Sequence, residues 1–372
     1  MALLRLLQAW RDSQHPSLII SVLTVDHGLR IASAAEAITV ANWCAALGLY
    51  HHTLNWHGGK PKTGLQAKAR VARYDLMADW CLAHDVGILL TGHTADDQAE
   101  TVLMRSARTS SHRSLAGIWP ESEWKGVRVL RPLLEFGKVA LRDHLVALGQ
   151  NWIEDPSNRD ARFERVRVRQ KLVGQDISEL QHQAAFSLRE TLALRAKSES
   201  WMAAHGHCDQ WGCLWLPRPA FLAVDAEIAQ TILRHSIQIV GGSATVPPAA
   251  LLAVQNWIVG RFHGRRSLGG VLIMLRRDHV LLAREPGRIN NAPMAIPVAG
   301  HLLWDARFHV TAPSGSLVAS GLVFEGGTRL KNVPLTVQQA MPVVKLAGGE
   351  CILAQNISEK GVSAMFCERK PT

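Results

Sequence analysis

The sequence contains no apolar run approaching the roughly 18 to 20 residues that cross a bilayer. The longest candidate is the stretch from Leu18 to Val25, so a helical membrane span is excluded. It has no closely paired cysteines either. Its six are scattered, and Cys208 and Cys213 are separated by four residues rather than the two of a CxxC zinc or redox pair. Reduced structural thiols in a cytoplasmic protein are the expectation. Internal repeats and low-complexity tracts are missing, which excludes a solenoid. A signal peptide is missing too: Leu3, Leu6, Leu7 and Trp10 share one helical face and Arg5 and Gln8 the other, an amphipathic helix. Charged residues make up only 19% of the chain against 47% hydrophobic, enough for a sizeable core. At 372 residues the chain exceeds one core and predicts two or three domains. Lys and Arg number 41 against 31 Asp and Glu, a net charge of +10 that points to a polyanionic partner.

From residue 18 to about 155, short apolar runs alternate with amphipathic helices, the pattern of a parallel sheet with flanking helices. The strands are placed at Leu18–Val25, Leu49–Trp56, Val86–Thr91, Val127–Leu130 and near Trp152. Ser33 with Glu36 reads as a capping box opening a helix with Val40, Trp43, Cys44 and Leu47 on its apolar face, ended by Gly48. Further helices are placed from Gly64 to His84, from Thr94 to Arg108, and between Gly137 and Gly149. After Lys171 the alternation stops. A long helix from Ile177 to Ala204 opens a second, helical domain, with a β-hairpin around Arg276-Arg277-Asp278-His279. From Pro286 onward a small β-rich tail is expected. The predicted domains are 1–172, 173–285 and 286–372.

Four constellations carry chemistry. In Thr91–Thr101, His93, Asp96, Asp97 and Glu100 fall at i, i+3, i+4 and i+7 after a buried strand, which puts three acids and an imidazole on one face at the edge where open α/β sheets bind ligands. The competing reading is a capping box of Thr94 with Asp97 and acids favoured by the helix dipole. A metal site lacks a second histidine. Second, Val25-Asp26-His27-Gly28-Leu29-Arg30 ends a strand with a glycine that lets backbone approach a ligand, or is an ordinary turn. Third, Arg70 and Arg73 share a helical face near Lys68, facing the acidic helix or simply solvated. Fourth, a turn at Trp152–Asn158 runs into Arg159, Arg162, Arg165, Arg167, Arg169 and Lys171, a candidate RNA phosphate contact or a solvated helix face. Arg261, Arg265, Arg266, Arg276 and Arg277, with no acid among them, make a further basic set.

Taken together, VDHGLR at 25–30, QAKARVARY at 66–74, TGHTADDQAET at 91–101, RPLL at 131–134, WIEDPSN followed by FERVRVR, GRRSLGG at 264–270 and LLARE at 281–285 resemble the tRNA(Ile)-lysidine synthetases of the PP-loop ATPase group, over roughly residues 1–285. The resemblance implies an adenine nucleotide alpha hydrolase-like fold and a ligase acting on the wobble cytidine of tRNA(Ile) with anticodon CAU. ATP, with Mg2+, adenylates the C2 oxygen of the base, and the ε-amine of free L-lysine then attacks C2 and expels AMP. It implies catalytic roles for His93, Asp96, Arg70 and Arg73, with His93 and the arginines stabilising charge on the intermediate. Lysine would be held by Asp97 and Glu100, and ATP by Val25, Asp26, His27, Gly28 and Arg30. Contacts to tRNA would come from Arg131, Arg162, Arg165, Arg167, Arg169, Arg265 and Arg266. A resident protein metal cage is not expected, and a homodimer is compatible. Two departures stand out. The family's SGGxDS loop and the strand before it, which would precede Met1, are not in the sequence, and a misassigned start codon or a truncated gene would each account for this. Arg108–Ser114 replaces a glycine-rich loop. Two rival readings are a degraded homologue that only binds tRNA and a related PP-loop tRNA thiolase, the latter disfavoured by the missing CxxC.

Overall fold

The structure, a computed structural model, describes residues 1–28, 32–58, 63–107, 111–154, 164–172, 176–241, 246–261, 263–290, 292–321, 323, 333–353 and 362–367. It comprises two compact units, Met1–Thr191 and Leu192–Thr372. Among the described residues no helix is long and apolar enough to cross a membrane.

The first unit runs α1 (Ala2–Gln14), β1 (Ser21–Asp26), α2 (Ala32–Ala46), β2 (Tyr50–Asn55), α3 (Leu65–Ala83), β3 (Ile88–Leu90), α4 (Ala95–Ser106), α5 (His112–Leu115), β4 (Glu121–Trp124), β5 (Val127–Leu130), α6 (Lys138–Ala147), α7 (Glu164–Leu172) and the start of α8 (Ser178–His205). The expected parallel α/β alternation is present. β1 pairs with β2 in parallel from Ser21↔Tyr50 to Asp26↔Asn55, and β3 pairs with β5 in parallel from Ile88↔Arg128 to Leu90↔Leu130. Three details differ from expectation. The strands form two sheets, β1-β2 and β3-β5-β4, because β1 and β3 are not hydrogen-bonded to each other. The segment around Trp152 forms no strand. An antiparallel strand, β4, precedes β5. Its turn is Lys125-Gly126, with φ of 51° and 85°, the two positive values that a tight hairpin requires.

Both sheets are covered by α3. Tyr74, Met77, Ala78 and Cys81 pack on Leu89, Val127 and Val129, and Leu23, Val25 and Leu54 join the same core. Each such large apolar side chain, fully buried, contributes about 1.5–3 kcal/mol. On α1 the packed residues are Leu4 and Leu7, against Ile20, Cys44 and Leu49. Trp10, expected on the apolar face, is 45% exposed, its ring tilted against that of His15. The predicted capping box of α2 is also replaced: Ser33 lies inside the helix and its hydroxyl donates to Asp26 Oδ1 at 2.6 Å.

The second unit adds a sheet to the helices the sequence suggested. After α8 come β6 (His207–Cys208), β7 (Leu214–Pro217), α9 (Arg218–Leu222), α10 (Ala226–Ile239), α11 (Pro248–Gly260), β8 (Gly264–Leu268), β9 (Val271–Leu275) and β10 (His279–Arg284). The foreseen β9–β10 hairpin belongs to a five-stranded antiparallel sheet, β6-β7-β10-β9-β8. β7 escaped notice because it is a four-residue run ending in Pro217, yet its Leu214 and Leu216 are among the most buried side chains of a core shared with α10 and α11. The β-rich tail consists of β11 (Met294–Ala295), β12 (His301–Trp304), β13 (Phe308–Thr311), β14 (Leu317–Ser320), α12 (Leu335–Gln339), β15 (Pro342–Lys345), β16 (Cys351–Leu353) and β17 (Ser363–Phe366). Two antiparallel sheets there enclose Trp304, Phe308, Val310, Val318 and Val344.

Candidate active site

A cavity of about 900 Å³ opens in the first unit between the ends of β1 and β3. Leu23, Thr24, Val25 and His27 contribute from β1 and the turn after it, and Thr91, Gly92 and His93 from the segment following β3. α2 lends Ala37, Val40 and the carboxylate of Glu36, and α3 lends Leu65, Arg70, Arg73 and Tyr74. The volume suits a nucleotide-sized ligand, and an apolar wall with a few placed polar groups is the usual build of such a site. The guanidinium of Arg70 lies 5.0 Å from the centre of the Tyr74 ring and that of Arg73 6.0 Å, so a buried aromatic positions both arginines through cation–π contact. Tyr74 was not singled out in the sequence; its place one position after Arg73 on a core-facing stripe is the signal that marks it.

His93 sits at the cavity wall, with Nδ1 3.0 Å from Thr91 Oγ1. Burial, seconded by the positive charge of Arg70, pushes its pKa down to about 4. The ring is therefore neutral at pH 7 and can take part in hydrogen bonds as an uncharged imidazole.

The three carboxylates do not line the cavity, although the charge of Asp97 reaches His93. His93 precedes Thr94, the N-cap of α4, so it lies outside the helix on which the i, i+3, i+4 and i+7 spacing was counted. Asp96 Oδ2 accepts the backbone N–H of Lys138 at 2.7 Å and so caps the start of α6. Asp97 completes the capping box: its Oδ2 accepts from the Thr94 N–H at 2.9 Å and hydroxyl at 3.0 Å, and its Oδ1 lies 3.2 Å from the Lys138 ammonium. Glu100, 1% exposed, is gripped by Arg169 through Nε at 2.6 Å and Nη2 at 3.2 Å, with Lys138 Nζ at 3.6 Å. Lys138 went unnoticed in the sequence, since nothing in its local pattern distinguishes it from a solvated helix-start lysine.

Of the strand-end residues, Val25 and His27 line the cavity. Asp26 shapes the turn, its Oδ1 accepting from the Gly28 N–H at 2.8 Å as well as from Ser33, and Gly28 takes the left-handed φ of 59°. Arg30 and Arg162, and the side chain of Arg165, lie outside the described residues. Arg131, expected on an RNA-facing surface, is 8% exposed and donates to the Trp119 carbonyl and the Ser122 hydroxyl. Its position inside the fold follows from the buried segment around Leu133 that it joins. Arg169 faces Glu100, whereas Arg167 on the same helix is exposed. In the second unit Arg265 and Arg266 are exposed on β8.

Among the described residues no group of three or more His, Cys, Asp or Glu side chains converges on one point. An ATP fits, with cationic Arg70 and Arg73 for its phosphates and the apolar wall for its base.

A PP-loop domain matches residues 1–176. The tRNA(Ile)-lysidine synthase of Mesorhizobium japonicum is 36% identical over 346 residues, covering 88% of this chain and 75% of that protein. Its counterpart in Ruegeria pomeroyi is 37% identical over 310 residues, covering 81% and 73%. Among solved structures, the U34-tRNA thiolase NcsA from Methanococcus maripaludis with its [4Fe-4S] cluster is similar at a TM-score of 0.43 and 14% identity, over 50% of this chain and 66% of that one. With a PP-loop α/β fold, and with more than a third of its residues shared across nearly three quarters of those relatives' length, the chain belongs to the tRNA(Ile)-lysidine synthase family of carbon–nitrogen ligases.

Proposed function

We propose that this chain converts the wobble cytidine of tRNA(Ile) with anticodon CAU to lysidine in the cytoplasm. ATP supplies an adenylyl group to the C2 oxygen, with release of pyrophosphate. The ε-amine of L-lysine then forms a bond to C2 as the C2–O bond breaks and AMP leaves. The observation that carries this reading is the cavity at the strand ends, walled by Arg70, Arg73 and the neutral ring of His93. The arginines hold phosphate oxygens and stabilise charge on the adenylated base. His93, with a pKa of about 4, accepts hydrogen bonds at neutral pH. Val25 and His27 border the adenosine, and Asp97 and Glu100 recognise the lysine ammonium in exchange for Lys138 and Arg169. In this reading residues 1–172 are catalytic, 173–285 bind tRNA and 286–372 form a tail. Magnesium accompanies ATP through its phosphates.

The test incubates the chain with labelled L-lysine and a tRNA(Ile) transcript, with and without ATP. Label enters RNA only when ATP is present. One observation favours a second reading, a homologue that only binds tRNA: Asp97 and Glu100 already hold Lys138 and Arg169. That reading predicts salt-sensitive tRNA binding with neither pyrophosphate release nor label transfer.

A further inference from the structure

The arginines and the carboxylate that line the cavity stand on opposite faces of β1. Side chains of a strand alternate between faces, and β1 follows the rule: Val22 joins Val40 and Cys44 of α2, whereas Leu23 and Val25 join Tyr74 and Met77 of α3. At the end of the strand α2 therefore brings Glu36, Ala37 and Val40 to the cavity from one side, and α3 brings Arg70 and Arg73 from the other. Among the described residues that line the cavity, Glu36 carries the only carboxylate. The turn before α2 fixes where it stands. Asp26 Oδ1, which accepts the Gly28 N–H at 2.8 Å, also accepts the Ser33 hydroxyl at 2.6 Å, and Glu36 follows Ser33 by one helical turn.

A carboxylate across from two guanidiniums gives the cavity a cationic wall and an anionic one. A negative charge close to a triphosphate weakens its binding unless the carboxylate meets a donor of the same ligand. ATP has donors in two places, the exocyclic amine of adenine and the neighbouring hydroxyls of the ribose. The amine sits beside a ring nitrogen that is an acceptor, so a carboxylate that reaches it sets its second oxygen against a lone pair. The ribose diol offers two O–H groups side by side, and the two oxygens of one carboxylate accept both in charge-assisted hydrogen bonds. Acidic side chains meet ribose hydroxyls in this way in other open α/β sheets. The ribose is also the part of ATP joined directly to the phosphates, so a triphosphate seated on Arg70 and Arg73 carries the sugar into the space between the two walls.

We propose that Glu36 selects the ribose of ATP by accepting hydrogen bonds from both of its hydroxyls. The inference rests on the nucleotide reading of the cavity and adds to it the recognition of the sugar.

Calorimetric titration of the full chain with ATP and with dideoxyATP, which lacks both ribose hydroxyls, tests it. The parent binds ATP about thirtyfold more tightly than dideoxyATP. Glu36→Gln lowers the affinity for ATP about tenfold and raises that for dideoxyATP by up to about twofold, because a negative charge near the phosphates is gone. Should Glu36→Gln fail to fold, Glu36→Asp takes its place, keeping the charge on a shorter stem and losing about threefold for ATP alone. Equal losses for the two nucleotides overturn the ribose contact, and so does a loss confined to L-lysine, read as its KM in label transfer; nucleotide binding stands in both cases. A parent that binds ATP and dideoxyATP equally well also overturns the ribose contact alone, whereas a parent that binds neither overturns the nucleotide reading with it.

Discussion

His93 makes the site sensitive to acid through its own protonation. Its folded-state pKa of about 4 lies below the ordinary 6.5. Between those values the unfolded chain binds a proton that the folded chain refuses, so the histidine costs nothing above pH 6.5 and stability is lost as pH falls towards 4. His93→Gln therefore flattens the pH profile. The drop in melting temperature from pH 7 to pH 5 narrows by roughly 2–4 °C, read by thermal unfolding at both pH values. A drop identical to the parent's means that the ring is not buried as described. Glu100 poses a different cost. It is 1% exposed between Arg169 and Lys138, and Glu100→Gln leaves those cations facing an uncharged amide. Arg169 keeps 31% exposure, which places the loss at the low end of the range for broken buried pairs, about 3 kcal/mol in urea unfolding. Glu100→Leu combined with Arg169→Met recovers most of it, because the desolvation cost disappears with the charges. If the double variant is as unstable as the single one, the pair is not what holds α7 to α4.

At the scale of elements, the strands β1, β2, β3 and β5 and the helices α2, α3, α4, α6 and α8 were legible because apolar periodicity and glycine stops mark them directly in the chain. What stayed hidden depends on neighbours distant in sequence. Glu121–Trp124 alternates polar and half-buried residues and becomes a strand only by pairing with β5. Lys138 acquires its meaning only when the cap on α6 brings it to Asp97. The acidic cluster was legible as a cluster, and its capping box was readable from Thr94 and Asp97. Its direction was not, because His93 lies one residue before the N-cap, where the helical spacing no longer holds. Two substitutions check these devices. Gly126→Ala forces a Cβ onto a φ of 85° with open space around it, so the loss reflects backbone strain alone, about 1–2 kcal/mol. Asp96→Ala removes the acceptor for the first N–H of α6 and costs about 1 kcal/mol. Both are read by chemical denaturation, and a neutral Gly126→Ala would mean that the hairpin turn relaxes to another type.

For the molecule as a whole, the excess of positive charge and the buried carboxylates respond to salt in opposite degrees, and this separates the two substrates. Arg167 in the first unit and Arg265 in the second are exposed, so on the proposed reading they would meet RNA phosphates through water, where a Debye length of roughly 8–10 Å screens them. If about five phosphates are neutralised, raising KCl from about 50 to 200 mM weakens tRNA binding roughly 500-fold. The lysine ammonium, by contrast, is assigned to carboxylates at 15% and 1% exposure, which ions screen far less. Salt should therefore raise the KM for tRNA by about 500-fold while the KM for lysine changes less than about threefold and kcat holds at saturating RNA. Steady-state label transfer at several KCl concentrations measures all three. A lysine KM that climbs in parallel with that for tRNA would place the amino acid on the exposed surface and remove Asp97 and Glu100 from its recognition.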